Sequence, residues 1–405
     1  MAKQKKKRKK SIFRKIVEWL HLWLGLASGI VVFVVCLTAA VWVFRPEIER
    51  FTLTHFRTQE SEQHYLQPSL LRKLADAHLS AAEVTMKSTS RIFLGKKGWS
   101  ASVNYQDADG GYATVYLNPY SGEVLYLETE LPAITRFMLF LRAGHRFFWL
   151  PPEVGSPLVG VSCILFLITL ITGLIWWYPN KWTNSTRQKS FKVKWNANWK
   201  RLNIDLHNVL GFYSVIVAII LTITGIYYSF SWFKEGYHRL LTGKTEIGST
   251  YPYEITPPIS KSTSFDPALN HPEDIIWQEI AESAGIYEID LILPADTTSP
   301  YTVYINPDVT KEGYYYRMYA RYFDQYTLTE ILPAGKRHTP FEQLSSPEKI
   351  FRANYEIHVG SIGGLPTRIL ASIVSLIGAS LPITGFIIWY NRKWGKMKKK
   401  NTTKQ

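Results

Sequence analysis

Four apolar blocks dominate the chain, each long enough to cross a bilayer, which takes about 20 residues. They run over 16–44, 157–178, 206–233 and 368–390. Backbone polar groups in hydrocarbon must bond within their own segment, so blocks of this kind fold as helices. Trp and Tyr gather at their ends (Trp19, Trp42, Trp176, Trp177, Tyr178, Trp389 and Tyr390), where an apolar ring with a polar tip suits a membrane interface. The mean hydropathy of −0.08 looks soluble only because polar segments between the blocks offset them. The first block follows a Lys/Arg run but far exceeds the apolar region of a signal peptide, about 7–15 residues, so it reads as a retained signal anchor.

The net charge of +15 has a telling distribution. Residues 1–15, 179–205 and 391–405 hold 23 of the 47 basic residues and one of the 32 acidic ones, Asp205. A basic excess confined to short segments beside apolar spans marks the cytoplasmic side. It excludes the basic face of a nucleic-acid-binding domain, although such tails do touch anionic lipid. The expected protein is therefore a multi-pass bacterial inner-membrane protein with both termini cytoplasmic. Its order is a basic tail (1–15), a span (16–44), a periplasmic domain (45–131), an amphipathic interfacial segment (132–156) and a second span (157–178). A basic cytoplasmic loop (179–205), a third span (206–233), a second periplasmic domain (234–345), an interfacial segment (346–367), a fourth span (368–390) and a basic tail (391–405) follow. The only cysteines, Cys36 and Cys163, lie in apolar spans without a CxxC partner, so neither a disulfide framework nor covalent c-type haem attachment is expected.

Both outer stretches read as small α+β domains. In the first, a helical pattern over 68–79 precedes alternating strand signals in 101–127, with turns at 107–111 and at Asn118-Pro-Tyr-Ser-Gly122. In the second, a helix over 272–284 precedes strand candidates at 301–305, 314–323 and 327–332. Asp324-Gln-Tyr-Thr327 takes the place of the earlier turn in degenerate form.

The apolar blocks repeat as well. Block one has His21, Gly25 and Thr38; block three has His207, Gly211 and Thr224, with identical spacing. Blocks two and four share Thr-Gly endings, at Thr172-Gly173 and Thr384-Gly385, and follow His145 and His358. Matched blocks cross in the same direction, so the repeats are parallel, related by an axis along the membrane normal. The expected fold is a four-helix transmembrane bundle made of two parallel span–ectodomain–span repeats, carrying two small α+β periplasmic domains.

Ionisable side chains in spans are functional candidates by default. The repeat places His21 opposite His207 near the cytoplasmic side, and His145 opposite His358 near the outer side. Two facing imidazoles suit axial ligation of a flat cofactor, and two such pairs would form an electron path across the membrane. Gly25, Gly29, Gly211, Gly360, Gly363 and Gly364 stand near the histidines, where missing side chains admit either a macrocycle or a neighbouring helix. Arg14 and Arg201 inside, and Arg142, Arg146, Arg352 and Arg368 outside, are candidates for haem propionates or for anchoring helix ends. Asp205 is a candidate partner for a histidine or a helix N-terminal acid. His55, His64, His78, His271 and His338 read as surface or structural groups, and His238 as a reserve ligand.

Several motifs resemble those of the PepSY-associated transmembrane proteins: His21-Leu-Trp-Leu-Gly25, Phe44-Arg-Pro-Glu47, Asp205-Leu-His-Asn-Val-Leu-Gly211, Ile357-His-Val-Gly-Ser-Ile-Gly-Gly-Leu-Pro366 and the Thr-Gly endings. Asn118-Pro-Tyr-Ser-Gly-Glu-Val124 resembles a PepSY-domain turn. The resemblance implies two haem b groups held by His21, His145, His207 and His358. It also implies reduction of a ferric siderophore or other ferric chelate at the periplasmic face. No flavin domain or Gly-rich nucleotide fingerprint is evident, so the electron donor is expected to be a separate reductase or a quinol. Block one departs from the pattern with Ala39 where glycine is usual. Two other classes also accord with the sequence: a transporter for iron, haem or siderophore, and a non-catalytic sensor or protease regulator.

Overall fold

The computed structural model describes residues 11–394, apart from 87, 108–110, 246, 248–255, 262–268, 285–287, 307–316 and 334–340. In chain order its helices are α1 Ile12–Trp42, α2 Arg45–Thr52, α3 Pro68–Ala81, α4 Ala133–Phe147, α5 Pro152–Trp177 and α6 Asn184–Phe191. Then come α7 Trp199–Ile226, α8 Ser231–Thr242, α9 Pro272–Ala284, α10 Ser346–Arg352, α11 Asn354–Val359 and α12 Leu365–Lys393. The strands are β1 Ser88–Leu94, β2 Ala101–Gln106, β3 Tyr112–Leu117, β4 Val124–Glu128, β5 Glu288–Ile292, β6 Tyr301–Asn306 and β7 Tyr319–Phe323. Two compact units result. A helical unit contains Met1–Arg45, Phe137–Tyr237 and Ile357–Gln405; a sheet unit contains Pro46–Arg136 and His238–Glu356.

The helical unit is built on the four apolar blocks, which form α1, α5, α7 and α12, each long and apolar enough to span a membrane. Their packing order is α1–α5–α7–α12, closing back on α1, so α1 and α7 stand on one diagonal. Leu170, Val215, Ala218 and Val374 meet in the interior. Outward faces carry exposed Ile30, Ile216 and Ile373, apolar surface that lipid would cover. Polar caps start the helices: the Ser11 side chain accepts from Arg14 N, and the Asn198 side chain from Arg201 N. Two bounds differ clearly from the sequence expectation. The helix of block three begins at Trp199, within the expected loop, because Asn198 caps it there. It ends at Ile226 rather than Phe233, because Tyr228 N and Ser229 N bond three residues back, to Gly225 and Ile226, and tighten the chain out of the helix.

The sheet unit corrects the expectation of two separate outer domains. All seven strands form one antiparallel sheet in the order β4-β3-β2-β1-β5-β6-β7. The junction is β1 on β5, with Ile92 opposite Leu291 and Phe93 opposite Asp290. Neither joining strand was expected from the sequence: β1 and β5 alternate weakly and carry charges, Arg91 and Asp290, which pair with each other across the junction. One sheet face carries Ile92, Val103, Val115, Leu291 and Val303, all buried against α3 and α9. Those helices are joined by Ser69 N donating to Asp274 Oδ1 at 2.8 Å and by Arg72 with Glu273 at 2.7 Å.

The degenerate turn is no defect. Asn118 Oδ1 accepts from Tyr120 N, and Asp324 Oδ1 accepts from Tyr326 N, each at 2.9 Å. Four residues beyond each, Gly122 (φ +77°) and Leu328 (φ +54°) occupy the left-handed region. Their N–H groups return to the Asn118 and Asp324 carbonyls, again at 2.9 Å. Leu at that φ is strained by about 1–2 kcal/mol, which the rest of the turn overrides. The strand expected at 327–332 is only a bridge from Phe323 to Glu330, and residues 314–316 of another candidate lie outside the described residues.

A single sheet makes a specific prediction. Leu291→Ala should destabilise the unit by about 2–5 kcal/mol. In limited proteolysis, cleavage within 46–136 and within 238–356 should rise together. Cleavage confined to 238–356 would show that the two stretches are independent.

Candidate functional site

Four side chains of one type meet four identical backbone settings in the helical unit. His21 Nδ1 lies 2.9 Å from the Thr169 carbonyl and His145 Nδ1 2.9 Å from that of Val35; His358 Nδ1 lies 3.0 Å from that of Leu221. His207 Nδ1 reaches Thr384 Oγ1 at 2.8 Å, beside the Leu381 carbonyl. In each case a threonine stands three residues after the carbonyl: Thr172, Thr38, Thr224 and Thr384. Each hydroxyl bonds back to the carbonyls three and four residues earlier. The next residue, at the fourth position, is Gly173, Ala39, Gly225 or Gly385.

The chemistry of this cradle is one-directional. A carbonyl only accepts, and each threonine has spent its proton on a carbonyl, so Nδ1 must donate. A neutral imidazole then has its lone pair on Nε2, the atom farther from the cradle. Such an outer bond fixes the ring's orientation and raises the basicity of the ligating nitrogen. The glycines let the ring in: a Cβ at Gly173 would sit 2.9 Å from His21 Cε1, and one at Gly225 3.0 Å from His358 Cε1. His145 and His358 lie outside the spanning helices. Burial lowers both, His358 to about 4 with His145 beside it, so both rings are neutral near pH 7.

The four rings form two pairs. Ring centres of His21 and His207 are 6.2 Å apart, and those of His145 and His358 are 5.9 Å apart. The planes of the first pair are nearly perpendicular, at 86°, and those of the second are inclined at 45°. Among the described residues no group of three His, Cys, Asp or Glu could hold a metal ion.

A cavity of about 360 Å³ opens beside the His21–His207 pair. Gly25 and Gly211 line it, and a Cβ there would meet only Thr169 at 3.8 Å or Leu381 at 3.5 Å, so helix packing does not require them. At Gly29 a Cβ would lie 3.3 Å from Pro382, a true helix contact. Gly360 (φ +75°) and Gly364 (φ +73°) serve the turn that carries His358 into α12, where Thr367 Oγ1 accepts from Gly363 N.

This arrangement draws on nearly the whole length of the chain, and so does its match to known proteins: the PepSY-associated TM region matches residues 18–392. The chain belongs to this family. Curated proteins yielded no match.

Other expected site residues of this PepSY-associated protein fall elsewhere. Asp205 does not reach a histidine. Its buried carboxylate pairs with Arg201 at 2.7 Å, one helical turn earlier. Arg14 bonds Asn180 and the Tyr178 carbonyl at the end of α5. Arg368 reaches the Val43 carbonyl at 3.5 Å, Arg146 covers the Phe147 ring, and Arg142 is exposed on α4. Arg352 belongs to the sheet unit, where it is buried and donates to the Met318 carbonyl. His238 is also in the sheet unit, against Phe351, and His338 lies outside the described residues. The sequence reading recorded the Thr-Gly endings as repeat markers and missed them as the histidines' partners. It also missed Lys189 and Arg392, which line the cavity.

The cradles predict an order of effects. Alanine in place of glycine gains roughly 0.5–1 kcal/mol of helix propensity, against a steric cost set by the imidazole. Gly173→Ala should be the most destabilising, Gly225→Ala intermediate, and Gly385→Ala, where the gap is 3.4 Å, near neutral. Thermal unfolding in detergent reads this directly. Equal effects at all three would show that the imidazoles do not set the constraint.

Proposed function

We propose that the two histidine pairs bind two haem b groups, and that the protein passes electrons across the inner membrane to a ferric siderophore or other ferric chelate at the periplasmic face. The observation that carries this reading is the shared cradle: four imidazoles, all with Nδ1 committed to backbone or threonine, in two facing pairs with ring centres 6.2 and 5.9 Å apart.

The residues fit the group. His21 with His207, and His145 with His358, are the residues that would hold the two groups through Nε2. Once bound, haem iron exchanges single electrons, and the potential depends on its axial ligands and burial. The protein's own part is to orient each imidazole, keep it neutral and exclude water. Fourteen residues separate His21 from Val35 on α1, and His207 from Leu221 on α7, so the two layers lie about 21 Å apart along the helices at roughly 1.5 Å per residue. That separation supports reading one pair as serving each membrane face.

Basic segments at both termini and in 179–205 support an orientation with the His21–His207 layer cytoplasmic. The matched cradles and matched Asx turns support reading the halves as parallel repeats. Reduction of the ferric ion lowers its charge and hardness and loosens its hold by oxygen-rich chelators. Electrons would come from a separate reductase or a membrane quinol.

Protein purified with haem supplied during expression should show a low-spin b-type spectrum with about two haems per chain, one per histidine pair. His21→Ala or His207→Ala should lose one haem and keep the other. Dithionite-reduced protein should be reoxidised by a ferric chelate. A preparation still colourless after haem reconstitution would sink the proposal.

A further inference from the structure

Two cations on separate elements converge on the His21–His207 cavity. Lys189 lies near the end of α6, and Arg392 in the last turn of α12. Both are exposed, so the cavity reaches the surface between them. No acidic side chain lines the cavity, and among the described residues no carboxylate pairs with either cation. Each is held by aromatic scaffolding. The Arg392 guanidinium lies 5.7 Å over Trp176, whose ring meets His21 edge-on at 5.4 Å. On the other side, Trp177 Nε1 donates to the Ser190 carbonyl at 3.2 Å and stacks on Phe212 at 3.9 Å. These contacts pin α6 against α5 and α7 and hold Lys189 at the rim.

The ordinary role of such cations is to anchor a helix end or complement its dipole. That role does not require them to share an acid-free cavity with a histidine pair. Arg14 and Arg201, the cations expected from sequence, are already bonded to Asn180 and Asp205.

We infer that Lys189 and Arg392 form an anion-holding rim that receives the carboxylates of a flat amphipathic ligand whose apolar body lies against Gly25, Gly211 and Phe212. This rests on the haem reading and deepens it: the carboxylates are the two propionates of the haem at the His21–His207 pair. Charge-assisted hydrogen bonds to them slow dissociation without touching the axial ligands.

The test is haem transfer to excess apomyoglobin from the full chain carrying His145→Ala, so that only the inner site reports. In that background Arg392→Gln and Lys189→Gln should each speed haem loss about tenfold, with the low-spin spectrum intact. Arg14→Gln should change nothing. With haem dimethyl ester, which lacks the two negative charges, the Lys189→Gln/Arg392→Gln chain and its parent should lose haem at equal rates. Equal rates with natural haem, or an unchanged gap with the ester, overturn the rim assignment while leaving haem binding in place. A parent chain that takes up no haem at all overturns the haem reading and the rim together.

Discussion

One hydrogen bond, made four times, organises the helical unit. A helix carbonyl is already bonded to the N–H four residues on, and its second lone pair is normally screened by the side chain there. With glycine at that position, and threonine one residue before it, the carbonyl becomes open to a neighbouring helix. The imidazole that enters is oriented and stripped of tautomeric freedom. Gly173, Gly225 and Gly385 follow this rule, and Ala39 shows that a methyl group is accommodated at the fourth position. The bond also couples helices: His21 joins α1 to α5, and His207 joins α7 to α12. Lipid offers no hydrophobic gain for bringing helices together, so these polar links and the close contact of Gly29 with Pro382 set the register.

Much of this was legible in the sequence. Block lengths located four helices, equal His-to-Gly and His-to-Thr spacings picked out His21 and His207, and matched places before blocks two and four picked out His145 and His358. What escaped is informative. The Thr-Gly endings were visible as a pattern, but their role is a relation between helices, and spacing along one helix cannot reveal it. Proximity in sequence pointed to Asp205 as a partner for His207 and to Arg201 as a group for a propionate. Their i, i+4 spacing is instead the ideal geometry for pairing with each other, and that local interaction won. Arg392 lies 185 residues from His207, beyond any local argument.

The sheet unit taught the complementary lesson. Strands with clean alternation, such as β2 and β6, were recognised. β1 and β5 were not, because each carries a charge facing the other. Arg91 and Asp290 make poor strand signals alone and a sound pair together. The two outer stretches thus carry mutual information that neither shows by itself.

That junction also governs the order of assembly. β1 is synthesised before α5 and α7, and its partner β5 only after them. Until then β1 is a bare sheet edge with unpaired N–H and C=O groups, the kind of edge that recruits wrong partners. Some 190 residues separate the two strands, so at about 5–20 residues per second the edge waits on the order of ten to forty seconds. Native sheet closure is therefore a late event, contingent on two intervening membrane helices. A lesion in α5 or α7 that slows insertion would be felt first as misfolding of the sheet.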